Sequence, residues 1–235
     1  MSVDTDGSLA GPAGVPALDS TAGGNRFGSQ LRAARQQRKI GVRELSRRIE
    51  VSASMISQIE LGRVMPSVRT LYAMTTVLGL SFDDLFSNEQ SSRGSTDAEP
   101  SDPRAGATGS QAMRHPALVQ RSGSRKTMTL ASGVRWEMLT SAPDPEVEFQ
   151  ESIYEVGGES APSEGLMRHG GHEYGLVLEG VLGITVGWET YELRPGDSIS
   201  FDSSTPHRLF NLAAVPTVAV WVVVGRRGDL RLTAD

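Results

Sequence analysis

The chain has 235 residues, no cysteine and a formal net charge of −5 at pH 7. Without cysteine it has neither disulfides nor thiolate metal sites, which leaves imidazole and carboxylate as its ligand chemistry. No apolar run approaches the length of a membrane span, and the opening MSVDTDGSLAGPAGVPALDSTAGG has neither the basic start nor the apolar stretch of a signal peptide, so a cytoplasmic protein with no membrane partner is expected.

The summed charge hides a segregation. Residues 26–86 carry ten Lys or Arg against five Asp or Glu, a balance of +5, whereas residues 115–235 carry ten against sixteen, a balance of −6. A basic module attached to an acidic one keeps nucleic acid open as a partner, because phosphate contact needs only a local positive face.

In chain order, residues 1–25 form a Ser-, Gly-, Ala- and Pro-rich stretch with too little apolar surface to bury, expected as a disordered tail. From Phe27 to Phe86 the pattern reads as five helices, with Leu31 and Arg35 in the first, Pro66 and Ser67 opening a fourth, and Ser81 with Asp84 as a capping box for the fifth. Between them, Val42, Leu45 and Ile49 fall at i, i+3 and i+7, and Ile56 and Ile59 are again three apart, so two short runs each present one buried stripe. Only a short polar break separates them. Val51 plugs that turn, Ser46 allows close crossing, Ser52 can cap the second run and Gly62 can stop it in a left-handed conformation. The outer face of the second run then carries Ala53, Ser54, Ser57 and Gln58, small neutral groups suited to base edges in a DNA major groove. Ser52 joins them at the helix start, and Arg43 and Arg63 flank the face as candidates for phosphate contact.

These motifs, an LREL-type helix, SxxMISQIE, a Gly, PSVRTL and LGLSFDDLF, resemble the XRE or phage-repressor family of DNA-binding domains over roughly sixty residues. The resemblance implies a five-helix, lambda-repressor-like domain in which Arg35 pairs with Glu60 in a structural role. One residue departs from the pattern: the turn position that often holds Gly is Glu50, where a left-handed backbone costs about 1 kcal/mol.

Residues 87–114 are again Ser-, Gly- and Asp-rich and are expected to be a flexible linker of about 30 Å root-mean-square span, long enough to let two domains orient independently. From residue 115 to 235 the texture is β: VEFQESIYEV, YGLVLEGVLGITV, ETYEL, DSISF and TVAVWVVV are short β-branched or aromatic runs punctuated by Gly and Pro.

Two stretches, GLMRHGGHEYGLVLEGVLG and RPGDSISFDSSTPHRLFN, resemble the paired motifs of the cupin family, small double-stranded β-helix barrels. The overall expectation is therefore an α + β two-domain chain with an all-β cupin at its C-terminus. The resemblance places one metal or pocket histidine at His169, the carboxylate at Glu173 and the second histidine at His207, while the family's first histidine falls on Met167. Two His and one carboxylate suit Fe(II), and also Zn, Mn or Ni. Without metal, the same three side chains can line a polar pocket. His172 could replace the family's first histidine only if the backbone bulges at Gly170 and Gly171, because strand alternation turns it away from the interior if Glu173 faces inward. Arg168 is expected as a surface or rim residue. Trp136, Tyr154, Tyr174, Trp188 and Trp221 are expected as core or pocket wall, and Met167 as packing.

An XRE domain followed by a cupin resembles bacterial one-component transcriptional regulators. That likeness implies a homodimer engaging an operator in double-stranded DNA, with a small-molecule effector in the cupin and no catalytic residues. The alternative is a mononuclear iron enzyme resembling hydroxypropylphosphonic acid epoxidase, in which His169, Glu173 and His207 would hold iron.

Overall fold

The computed structural model describes residues 20–80, residue 85, 118–163 and 165–226. Four helices, α1 (Ser20–Gln37), α2 (Val42–Arg48), α3 (Ala53–Glu60) and α4 (Val68–Leu78), precede nine strands. The expected fifth helix and its Ser81–Asp84 capping box lie outside the described residues, as does the expected linker; Leu85 is buried in the core. The first helix begins at Ser20, inside the stretch expected as a tail. Its polar, glycine-containing first turn has no apolar period by which sequence could extend the helix.

The helix-turn-helix forms as its stripes require. Leu45, Ile56 and Ile59 are fully buried in one core with Leu31, Leu71 and Leu78. Ser52 caps α3 by accepting from the Met55 amide at 3.1 Å, and Ser67 caps α4 by accepting from the Thr70 amide at 3.2 Å. Gly62 takes φ +68° just after α3. Glu50 holds the left-handed turn itself, at φ +57°, so the strain that a glycine would avoid is accepted there. Gly28 lets α1 press onto the end of α3: a Cβ there would lie 2.3 Å from the Ile59 carbonyl oxygen.

The strands are β1 (Thr127–Leu130), β2 (Val134–Met138), β3 (Val147–Tyr154), β4 (His172–Glu179), β5 (Leu182–Val186), β6 (Glu189–Leu193), β7 (Ser198–Asp202), β8 (His207–Asn211) and β9 (Thr217–Val224). A six-stranded sheet ordered β1-β2-β3-β9-β4-β7 faces a three-stranded sheet ordered β6-β5-β8, and the pairings within both are antiparallel. Alternation sends Trp136, Gln150, Ser152, Tyr154, Glu173, Val177 and Trp221 inward, all of them buried. Tyr174 and Trp188 depart from expectation. Tyr174 shares the outer face of β4 with His172 and is exposed, and Trp188, in the tight turn between β5 and β6, is fully exposed.

The helical and β parts are packed together, in contrast to the independent orientation expected from the linker. The Arg69 amide donates to the Ser160 carbonyl at 3.0 Å, the Ala131 amide to the Pro66 carbonyl at 3.0 Å, and the Val68 amide to the Ser132 hydroxyl at 3.3 Å. A long connection permits independent motion but does not enforce it, and here the first turns of α4 find hydrogen-bond partners on the barrel.

Candidate functional site

Two constellations carry chemistry, one on each part of the chain. On the helical part, Arg35 and Glu60 meet as the sequence implies. The guanidinium donates to both carboxylate oxygens, at 2.5 and 2.8 Å, and its remaining nitrogen donates to the Ile40 carbonyl at 2.8 Å. Both side chains are buried, so this fork locks α1 against the end of α3. The Glu60 carboxylate, by that hydrogen bond first, raises the Arg35 pKa.

With α3 fixed from behind, its other side faces out. Ser52, Ser54, Arg43 and Arg63 are exposed, while Ala53, Ser57 and Gln58 are partly so. The Ser57 hydroxyl donates to the Ala53 carbonyl at 3.0 Å, leaving its oxygen as an acceptor. Met55, which the sequence reading passed over, is 42% exposed on the same helix and adds an apolar contact surface. Its signal was its position between Ser54 and Ile56, off the buried stripe.

On the β part, His169, Glu173 and His207 are all buried and bring one ligand atom each within 4.8 Å of the others. Each is set by its strand environment. Glu173 is the second residue of β4 and pairs with Phe201 of β7. His207 opens β8, and its backbone exchanges two hydrogen bonds with Met167, at 2.8 and 2.9 Å. His169 follows two residues after Met167 on this extended segment, with its amide bonded to the Ser203 carbonyl at 3.0 Å. Met167 is buried, Arg168 exposed and His169 buried, so Met167 faces the interior where the family pattern has its first histidine. His172 is turned outward against Tyr174, with ring centroids 4.9 Å apart, and does not substitute for it.

The protonation pattern follows from the hydrogen bonds. Nδ1 of His169 lies 2.9 Å from the Gly170 carbonyl oxygen and Nδ1 of His207 lies 2.8 Å from that of Thr205. A carbonyl only accepts, so each Nδ1 donates to it and each ring turns its Nε2 inward. The two Nε2 atoms converge on Glu173 Oε1, at 3.0 and 3.2 Å, without hydrogen-bond alignment. The other oxygen, Oε2, accepts from the Trp221 indole at 2.7 Å. Three buried ligand atoms therefore point at one another with no aligned hydrogen bond between them, an arrangement that a bound cation satisfies. Burial pushes the Glu173 pKa up, but the His169 contact, the facing His207 and the Trp221 hydrogen bond outweigh it and hold the carboxyl below its ordinary value. Burial lowers the His207 pKa against the opposing pull of Glu173. Ionised carboxylate and neutral imidazole are the forms that bind a metal. The donor set fits a divalent ion, with His169, Glu173 and His207 as its protein ligands.

The surroundings of the triad include residues that sequence reasoning left as core or wall. Gly175 is what lets Trp221 reach Glu173: a Cβ there would stand 2.0 Å from the indole ring. More unexpected is Tyr72 of α4. Its ring stacks on the His169 imidazole with centroids 4.4 Å apart and meets Trp136 edge-on at 5.9 Å. Burial pushes the Tyr72 phenol well above its ordinary pKa, so the ring sits there neutral. Arg226, just after β9, lies over the outer side of this contact, 4.3 Å from the Tyr72 ring centroid, and also bonds Glu148 at 2.6 Å and the Thr75 hydroxyl of α4.

Comparison with known proteins agrees with this division. Residues 31–85 match the helix-turn-helix family model and residues 151–223 match the cupin domain model. The helical part belongs to the first family and the β part to the second; together they make an XRE-type regulator architecture with a cupin domain. The HTH-type transcriptional regulator PuuR of Escherichia coli K12 is 25% identical over 187 residues, covering 80% of this chain and 88% of that protein. The crystal structure of an HTH_3 family transcriptional regulator from Vibrio cholerae shares the fold across both parts, with a TM-score of 0.60 at 21% identity over 88% of this chain and 98% of that one. Hydroxypropylphosphonic acid epoxidase from S. wedmorenis aligns at a TM-score of 0.39 and 17% identity over 85% of this chain and 97% of that one, a likeness too slight to bear on chemistry.

Proposed function

We propose that the protein is a sequence-specific DNA-binding transcriptional regulator whose cupin domain senses a small molecule, with a divalent metal held by His169, Glu173 and His207. The observation that carries the reading is the outer face of α3, where small and neutral hydrogen-bonding groups at Ser54, Ser57 and Gln58 stand between two exposed arginines, Arg43 and Arg63. A helix built only for solvation would carry Lys and Glu there; this one carries groups that match base edges, flanked by groups that match phosphate. Support also comes from the family of the helical part and from its local charge of +5. Two copies would place their α3 helices in successive major grooves of a pseudo-palindromic operator, about one helical turn apart. The exposed β4 face bearing Tyr174, Leu176 and Leu178 is compatible with such a pairing.

Retention on double-stranded DNA at rising salt tests the reading. Binding through phosphates falls steeply, by about a thousandfold or more between 50 and 200 mM salt for a dimer making six or more such contacts. Salt-insensitive retention, or none, would remove DNA as the partner.

A further inference from the structure

We propose that the helical domain completes the cupin site: Tyr72 of α4 is a positioning residue that holds the His169 imidazole from above, so that metal occupancy and the docked position of the helical domain support each other. This deepens the reading of the His169–Glu173–His207 site as a metal centre and rests on it.

The geometry is specific. A stacked ring at 4.4 Å with planes 26° apart covers one face of an imidazole whose Nδ1 is tied to the Gly170 carbonyl, so ring tilt is fixed from the side and rotation from the back. Tyr72 belongs to a different domain from the histidine it covers. It is carried there by α4, which is tied to the barrel by backbone hydrogen bonds at Arg69 in its first turn and at Pro66 just before it. Arg226 fastens the junction from the barrel side, joining Glu148 of β3 to Thr75 and Tyr72 of α4. Helix α4 packs against α1 and α2, and both of these pack against α3. A shift of α4 away from the barrel therefore loosens His169 at one end and moves the DNA-facing helix at the other.

Reciprocity follows from linkage: if docking strengthens metal binding, metal binding strengthens docking by the same factor. Residues that orient a metal ligand without touching the metal are typically worth about ten- to a hundredfold in affinity. Tyr72 is placed to act in that range through His169. An effector that prefers the undocked arrangement would then release both the metal-side histidine and the reading helix.

The test uses the full-length chain and Zn²⁺ alone, titrated in competition with a chromophoric chelator. Tyr72→Ala is expected to weaken Zn²⁺ binding by about ten- to a hundredfold, while Tyr72→Phe, which keeps the ring, stays close to the unaltered protein. His169→Ala is expected to abolish binding. In the unaltered chain, Zn²⁺ is also expected to slow hydrogen exchange in α4, a readout that needs no variant. Zn²⁺ binding lost in His169→Ala but unchanged in Tyr72→Ala, with no added α4 protection, would overturn the coupling and leave the metal site standing. Binding retained in His169→Ala, or absent from the unaltered chain, would overturn the metal site and the coupling with it.

Discussion

The phenol ring of Tyr72, in the helical domain, lies flat on the imidazole of His169, in the cupin, with their centroids 4.4 Å apart. The helix-turn-helix part and the buried triad thereby meet directly, side chain on side chain.

If that junction is part of the folded unit, cutting its fastening should show in stability. Arg226 and Glu148 form a buried pair at 2.6 Å, and Arg226→Ala leaves the carboxylate without it. A loss of about 3 kcal/mol is expected. By calorimetry the single transition expected of the unaltered chain should split, the helical domain melting first. An unchanged single transition would mean the contact is energetically idle.

Within the helical domain, Glu60→Ala strands the Arg35 guanidinium in the core at the end of α3. A cost of about 3–5 kcal/mol is expected, read as a fall in the urea midpoint, because one partner of a buried pair has been removed. DNA affinity should fall in parallel. A shift below 1 kcal/mol would show that Arg35 finds a substitute partner.

In the cupin, Trp221→Phe keeps an aromatic ring beside Gly175 but removes the indole N–H that donates to Glu173 Oε2. Metal affinity should drop by about tenfold, as expected for a hydrogen bond that orients a ligand. Gly175→Ala should act more strongly, displacing the indole outright, and tryptophan fluorescence should report the movement. Unaltered affinity in both variants would remove Trp221 from the site.

The triad also sets the response to acid. The His207 pKa is depressed on folding, chiefly by burial, so the unfolded chain takes up its proton first as pH falls. Its contribution to the stability of the metal-free protein is present above the ordinary histidine value of about 6.5 and is lost below it as pH approaches the folded value. Glu173, also depressed, adds a further loss at lower pH, below the ordinary carboxyl range. The melting temperature of metal-free protein should therefore decline from about pH 6.5 downward, and His207→Gln should flatten the upper part of that decline. A melting temperature that rises on acidification through that range would contradict the assignment.

Much of the helical domain was legible because its signals are local. Ser52, Ser67 and Gly62 act within one turn of their own positions, and the stripes of α2 and α3 repeat at helical spacing. Even Glu50 in the left-handed turn could be foreseen, since the turn geometry rather than the residue type decides there. The Arg35–Glu60 fork and the His169, Glu173 and His207 positions came from family likeness, and the geometry brings each set together. Tyr72 was not legible. On α4 it sits beside Leu71, next to the stripe of Val68, Leu71, Thr75 and Leu78, and nothing in its spacing says that its neighbours belong to a barrel nearly a hundred residues later. Trp188 failed for the converse reason: aromatic character suggested burial, but the tight turn at Gly187 leaves no surface to cover it. Arg226 lies beyond the last strand, where a charged residue reads as solvated until its partners are seen.

The most direct measurement is a selection of genomic DNA fragments by the purified full-length protein, run beside Ser54→Ala/Gln58→Ala. The unaltered protein should enrich a symmetric motif with half-sites about one helical turn apart, lost at higher salt, and the double variant should retain DNA without enriching any motif while its cupin stays folded. No shared motif from the unaltered protein, or the same motif from the double variant, would contradict the assignment of α3 as the reading surface of a regulator.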